Sequence, residues 1–187
     1  MLIEKKSFDK IVISGKEYKD NIFYNCYFNY CDFSNASFTD VKFEDCEFNG
    51  CNFSFTNFSN VKLNNVLFKE CKLLGIEFSK CNNFALTFNF FNCIIKNCKF
   101  SGMKLKNILF VDSDIIETDF FECDLESSNF SKSRFHNTIF NNNNLKKSDF
   151  SFASGYDIDP TSNKLQKATF TLPDAAILFK YLGIIIK

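Results

Sequence analysis

The sequence predicts a repeat solenoid, a chain wound into successive similar turns, and three observations predict it. First, a large apolar residue returns at every fifth position. Phe23, Phe28, Phe33, Phe38, Phe43, Phe48, Phe53, Phe58, Leu63, Phe68, Leu73 and Phe78 share one register. Phe100, Leu105, Phe110, Ile115, Phe120, Leu125, Phe130, Phe135, Phe140, Leu145 and Phe150 share a second. Second, the residue two places earlier is small or apolar in nearly every unit, as in Cys26, Cys31, Ala36, Val41, Cys46 and Cys51. Third, the 187 residues include 27 Phe and no Trp, a bias that the repeat accounts for. This period fits neither the helical repeat nor the two-residue alternation of a strand. Self-similarity at a fixed period marks a repeat architecture.

Each unit therefore sends one large and one small side chain inward and three outward. Polar residues such as Asp32, Asn52, Asp119, Asp124 and Asn129 precede the large one. Units such as CDFSN, CNFSF, CDLES and SNFSK resemble those of the pentapeptide-repeat family, over roughly residues 8–170. The resemblance implies an all-β fold, a right-handed quadrilateral β-helix with four units to a square turn. Turns stacked at strand spacing, about 4.8 Å, would make residues 8–150 a rod of about seven turns, on the order of 34 Å long. Each buried Phe or Leu stabilises by roughly 1.5–3 kcal/mol, and the sum runs over neighbouring turns only.

Residues 1–21 carry the period weakly, at Phe8, Ile13 and Tyr18, with Lys6 and Lys16 at the inward small position. They are expected to be an N-terminal cap whose lysines lie at an open edge. Residues 22–170 form the β-helix. Its register slips within residues 79–94, where Phe88 fits the first series and Ile95 the second. Gly75 is expected to mark a bend. After Phe150 the period pauses until Leu165 and Phe170, and residues 151–163, with Gly155 and Pro160, read as a loop. Residues 171–183 read as a short α-helix, with Pro173 and Asp174 in its first turn and Gly183 closing it. Ala175, Ala176, Phe179 and Leu182 would share its inward face. A strand at Ile184, Ile185 and Ile186 follows. This tail is too apolar for a lid alone, leaving Ile177, Leu178 and Tyr181 outside. It is also similar to the C-terminal end of quinolone-resistance (Qnr-type) members, which dimerise there. A homodimer through residues 171–187 is expected, with Ile177, Leu178, Tyr181, Ile184, Ile185 and Ile186 at the interface.

All nine cysteines occupy the small inward position, many of them 20 residues apart. Stacked turns would hold their Cβ atoms near 4.8 Å apart, wider than a disulfide allows, so they read as small core hydrophobes. Residues 1–6 lead straight into the first unit, and the apolar run at 175–186 is interrupted by Lys180. A cytoplasmic protein is expected, with no membrane segment.

Nothing in the sequence suggests catalysis. His136, the one histidine, should face solvent, Gly15-Lys16 lacks the rest of a phosphate loop, and no metalloprotease or nucleophile-elbow motif occurs. No cofactor or metal is implied. The surface remains, and its charge is uneven although 22 acids balance 22 bases. Asp112, Asp114, Glu117, Asp119, Glu122, Asp124 and Glu126 form a candidate acidic binding surface. Asp32, Asp40, Glu44, Asp45 and Glu47 form a second acidic stretch, and residues 61–100 are basic. Qnr-type members resemble DNA in shape and charge and bind type II topoisomerase (DNA gyrase), protecting it from quinolones. The resemblance implies that role here. A DNA mimic about 34 Å long would carry about 20 uncompensated charges in a lengthwise stripe. The cluster at 112–126 instead forms a band around one turn. The alternative is a general protein-interaction scaffold without topoisomerase activity. Direct nucleic-acid binding is not expected, because the aromatics are buried.

Overall fold

The structure, a computed structural model describing residues 1–184, is a right-handed square β-solenoid of about eight turns. Most strands have three residues, as in Ile22–Tyr24, Lys42–Glu44 and Glu47–Asn49. Each places one large side chain inside between two outward neighbours. Corners follow two residues later, where Asn25, Asn35, Asp45, Asn65 and Asn97 sit at φ of +50 to +56°. Asn and Asp tolerate this left-handed conformation better than most residues. A short strand, a left-handed corner and another short strand turn the chain from one side of the square to the next.

The turns pair in parallel. Phe8 lies opposite Phe28, Phe28 opposite Phe48, and Phe48 opposite Phe68. Inside, rings on one side stack along the axis: Phe28 and Phe48 have centroids 4.7 Å apart at 16°, and Phe110 and Phe130 5.2 Å apart at 7°. Rings from adjacent sides meet edge to face, as Phe110 and Phe120 do at 5.5 Å and 90°. Both arrangements suit the ring quadrupole.

The small inward row lies against backbone. The Cys51 thiol points at the Phe28 carbonyl at 3.3 Å. Polar residues further along use the same proximity. The Ser133 hydroxyl donates to the Phe110 carbonyl at 2.6 Å. The Asn143 amide donates to the Phe120 carbonyl at 2.9 Å while its Oδ1 accepts from the Cys123 N–H at 2.8 Å. These residues are buried with their polar groups satisfied, as buried polar atoms must be.

The register slip differs from expectation. Phe68 pairs with Phe90, not Phe88. Phe90 therefore opens the second series, and Phe88 enters the small row opposite Val66, stacked on Phe78 at 5.3 Å. The two surplus residues are expelled between Cys81 and Phe88. The Asn82 N–H still donates to Val61 at 2.9 Å and the Thr87 N–H to Leu63 at 2.8 Å. Between them Phe84 projects, 80 % exposed. Gly75 marks no bend. It is a corner at φ +68°, and the Phe55 ring of the preceding turn lies over it, 2.9 Å from where a Cβ would stand.

Residues 151–163 are not an open loop. Ser154 pairs with Arg134, and Asp157–Ile158 pairs with Ile139 and Phe140. This side closes two residues early, because Phe140 meets Ile158 rather than residue 160. Gly155 makes that possible, since a side chain there would collide with the Phe135 carbonyl. Tyr156 and Ile158 fill the interior. Asp159-Pro160-Thr161-Ser162 restores the two residues, and Asn144 again pairs with Lys164.

The first turn is fully wound, with strands at Leu2–Glu4, Ser7–Asp9 and Glu17–Lys19. Lys6 and Lys16 are exposed.

At the other end, Asp174–Leu182 is a 3-10 helix rather than an α-helix. Three residues per turn place positions three apart in one line. Ala176, Phe179 and Leu182 form an outward stripe, whereas Ile177, Leu178 and Tyr181 are half-buried, with Ile177 and Leu178 packed on the core. The expected inward and outward faces are thus exchanged, because the expectation assumed the wider α-helical turn. Ile185 and Ile186, and with them the expected strand, lie outside the described residues.

Candidate interaction surface

The seven acids of the candidate surface occupy one turn. Asp112, Glu117 and Glu122 stand at successive corners with φ of 53, 47 and 53°. Asp114, Asp119 and Asp124 precede the inward Ile115, Phe120 and Leu125 on three sides, and Glu126 follows Leu125. The five-residue repeat forces this placement and turns each carboxylate outward.

Bases from adjacent turns meet most of them. Arg134 reaches back one turn to Asp114 in a two-pronged contact, Nε to Oδ1 at 2.6 Å and Nη2 to Oδ2 at 2.9 Å. Lys96 lies 3.6 Å from Glu117. Lys106 contacts Glu126 at 2.9 Å and Asp124 at 3.5 Å, and Lys147 contacts Glu126 at 3.3 Å. Hydrogen bonds from Lys106 and Lys147 hold the Glu126 carboxyl below its ordinary value. Asp112, Asp119 and Glu122 make no ion pair among the described residues. The pairs run along the rod axis, so they cut across any lengthwise negative stripe. On the second side, Asp32, Asn52 and Lys72 form one column, with Asp114 and Arg134 further along it.

The second acidic stretch is laddered by amides. Asn65 donates to Asp45 at 2.7 Å, Asn52 to Asp32 at 3.1 Å, and Asn60 to Asp40. Lys69 pairs with Glu47 at 2.9 Å.

A recess of about 530 Å³ lies beside the C-terminal helix and includes Asn137, Thr138, Asp157, Asp159 and Tyr181. It holds no histidine or cysteine. Among the described residues, no cluster of three His, Cys, Asp or Glu could hold a metal ion. Burial pushes the Cys31 thiol up to about 11 and those of Cys46, Cys81 and Cys98 up to about 12. Such thiols are poor nucleophiles and poor metal ligands. No helix among the described residues is long and apolar enough to cross a membrane.

Two features escaped sequence reasoning. One is the latch holding the C-terminal helix. The Tyr181 hydroxyl donates to Asp157 Oδ1 at 2.6 Å, and Lys180 Nζ lies 2.9 Å from Oδ2. Desolvation pushes the Asp157 carboxyl up, but these two partners outweigh it and leave the group below its ordinary value. The other is the outward apolar stripe of Phe179 and Leu182, legible only from three-residue spacing. Leu172 and Ile184 are exposed beside it in sequence.

Comparison with known proteins agrees with the architecture. The pentapeptide repeat region family matches residues 21–93, and the pentapeptide repeats family (8 copies) matches residues 93–131 and 118–153. Full-length QnrB1, a plasmid-mediated fluoroquinolone resistance protein, superposes with a TM-score of 0.74 at 17 % identity, covering 98 % of this chain and 100 % of that one. A trypsin-treated QnrB1 variant gives 0.69 at 18 % identity, covering 97 % and 100 %. No curated protein matches. With its repeats matched across residues 21–153 and its square tube in place, this chain belongs to the pentapeptide-repeat family.

Proposed function

We propose that the chain is a non-enzymatic binding protein that engages type II topoisomerase (DNA gyrase) and shields it from quinolones by partial DNA mimicry. The observation carrying this reading is the one-turn acidic band, in which Asp112, Asp119 and Glu122 make no ion pair among the described residues; it offers a local negative face on a packed, flat-sided rod rather than a lengthwise stripe, which is why the mimicry is partial. Likeness over the whole chain to a fluoroquinolone resistance protein supports it. The rod acts as a homodimer joined at the C-terminal end. With Ile177 and Leu178 turned inward, Phe179, Leu182 and Ile184 are the apolar contacts offered there. Exposed apolar side chains grouped at one end favour self-association.

A supercoiling assay with purified gyrase, with and without a quinolone, tests the role. Protection at micromolar protein is expected, and neither protection nor inhibition would overturn it. Sedimentation tests the dimer, which a 21.7 kDa particle would remove.

One observation favours a second reading, a general interaction scaffold. Lys96, Lys106, Arg134 and Lys147 already neutralise four of the seven acids. A rod without effect on gyrase would be read this way.

A further inference from the structure

The N-terminal end of the tube combines three features that stacking interior turns cannot show. The first is a hollow. Ile3, Phe8, Ile11, Ile13 and Tyr18 surround an apolar recess of about 130 Å³, floored by rings of the next turns. A cavity of this size holds roughly one benzene-sized group.

The second is a free strand edge. Among the described residues, strands Leu2–Glu4, Ser7–Asp9 and Glu17–Lys19 each pair on one side only, with the turn above. In that upper turn the N–H groups of Ile22, Tyr27, Asp32 and Ser37 donate down to Met1, Lys6, Ile11 and Lys16. The equivalent groups one turn lower, at Leu2, Ser7, Val12 and Glu17, have no turn beneath them among the described residues.

The third is charge. The inward row of this turn contains Lys6 and Lys16, directly below Cys26 and Ala36 in the rows above. Both lysines are exposed and make no ion pair among the described residues. Of the four acids of the same turn, Glu4, Asp9 and Glu17 adjoin the inward Ile3, Phe8 and Tyr18 and so lie on the outer walls, and Asp20 stands at an exposed corner with φ of +56°. The end face is therefore cationic around an apolar centre. A second copy meeting it head to head would oppose lysine to lysine.

We propose that this end docks an extended peptide segment bearing one bulky apolar side chain flanked by carboxylates. The side chain fills the hollow, the carboxylates meet Lys6 and Lys16, and the backbone adds a strand to the free edge. Main-chain pairing supplies affinity in such strand addition, and the pocket and charges supply selectivity.

The absence of tryptophan from the chain makes the test direct. The probe is Ac-Asp-Glu-Trp-Glu-Asp-amide, titrated against the full chain and followed by indole emission. A saturable blue shift is expected. The basic control, Ac-Lys-Lys-Trp-Lys-Lys-amide, should bind at least about tenfold more weakly. The double variant Lys6→Glu/Lys16→Glu should weaken the acidic probe by about tenfold or more while its melting curve stays unchanged. No saturable shift up to about 1 mM probe, or equal binding of both peptides, overturns the proposal. The peptide comparison needs no variant, so a folding defect in the double mutant leaves it decisive. Neither result depends on topoisomerase, so this test and the gyrase assay can fail separately.

Discussion

Phe110 is fully buried, stacked between Phe90 at 5.0 Å and Phe130 at 5.2 Å and met edge-on by Phe100 and Phe120. Phe84 has the same side chain and lies almost wholly in water. Phe110→Ala should lower the unfolding free energy by about 3–5 kcal/mol through lost burial and an unfilled hole, whereas Phe84→Ala should change it by less than about 0.5 kcal/mol. Urea titration of both variants checks the contrast. The thiols make a second residue-scale case. All nine cysteines are buried and free, and burial pushes the Cys46, Cys81 and Cys98 thiols up to about 12. A thiol reagent at pH 8 should therefore leave the native chain unlabelled and modify nine sites once it is denatured. Rapid native labelling of any one would disprove their role as packing residues. This much was legible from spacing, because a cysteine 20 residues from the next must share its row. Phe88 was not legible. Two Phe stand two places apart, and only the bulge between Asn82 and Thr87 decides that Phe90 takes the large row.

At the scale of the element, the C-terminal helix depends on the Asp157 latch. The carboxyl is held below its ordinary value, so the latch is complete above about pH 4 and is lost as pH falls through the lowered value. Tyr181 behaves oppositely. Its hydrogen bond to Asp157 raises its own titration, so its contribution is complete below the ordinary tyrosine range and fades above it. Hydrogen exchange of residues 174–182, taken relative to each amide's intrinsic rate at the same pH, should accelerate in acid well before the core rows do. Asp157→Asn should produce the same acceleration at neutral pH, and unchanged exchange would show that apolar packing of Ile177 and Leu178 alone holds the helix. The sequence placed this helix, with Pro173 ahead of it and Gly183 behind, but could not orient it. Pro, Asp and Gly mark where a helix begins and ends, whereas the number of residues per turn decides which side chains face inward, and here the helix docks beside Asp157–Ile158 with Ile177 and Leu178 packed on the core. Side-chain pairing such as Arg134 with Asp114 was half legible. The shared column was readable, the two-pronged contact was not.

For the whole molecule, each turn touches only the turns beside it, so stability is close to a sum over neighbours. Residues 110–129 constitute one such turn, and Leu109 already pairs with Asn129. Deleting them joins Leu109 to Phe130 with the rows in register. The shortened chain should fold cooperatively with an unaltered circular dichroism shape and lose about 4.8 Å of length, which small-angle scattering would detect. The same deletion removes all seven acids of the candidate band. Loss of gyrase protection in a well-folded deletion variant is the outcome expected if that band makes the contact. Retained protection would move the contact elsewhere. The repeat was legible from the strict period, whereas the square turn and its hand came from the resemblance that the units carry, and the structure agrees with both. The irregular turns were not, because Gly155 and Tyr156 abandon the period while still filling the tube.

The bulge between Asn82 and Thr87 bears on how such rods diversify. Val61 and Leu63 keep their bonds to Asn82 and Thr87 while Phe84 hangs outside. The wall closes behind the surplus, so between those two anchors Leu86 still packs on the core while the tip around Phe84 bears no weight. Longer foreign sequences spliced there would ride on the rod as passengers, and lineages could lengthen or exchange that tip without renegotiating a single ring of the interior.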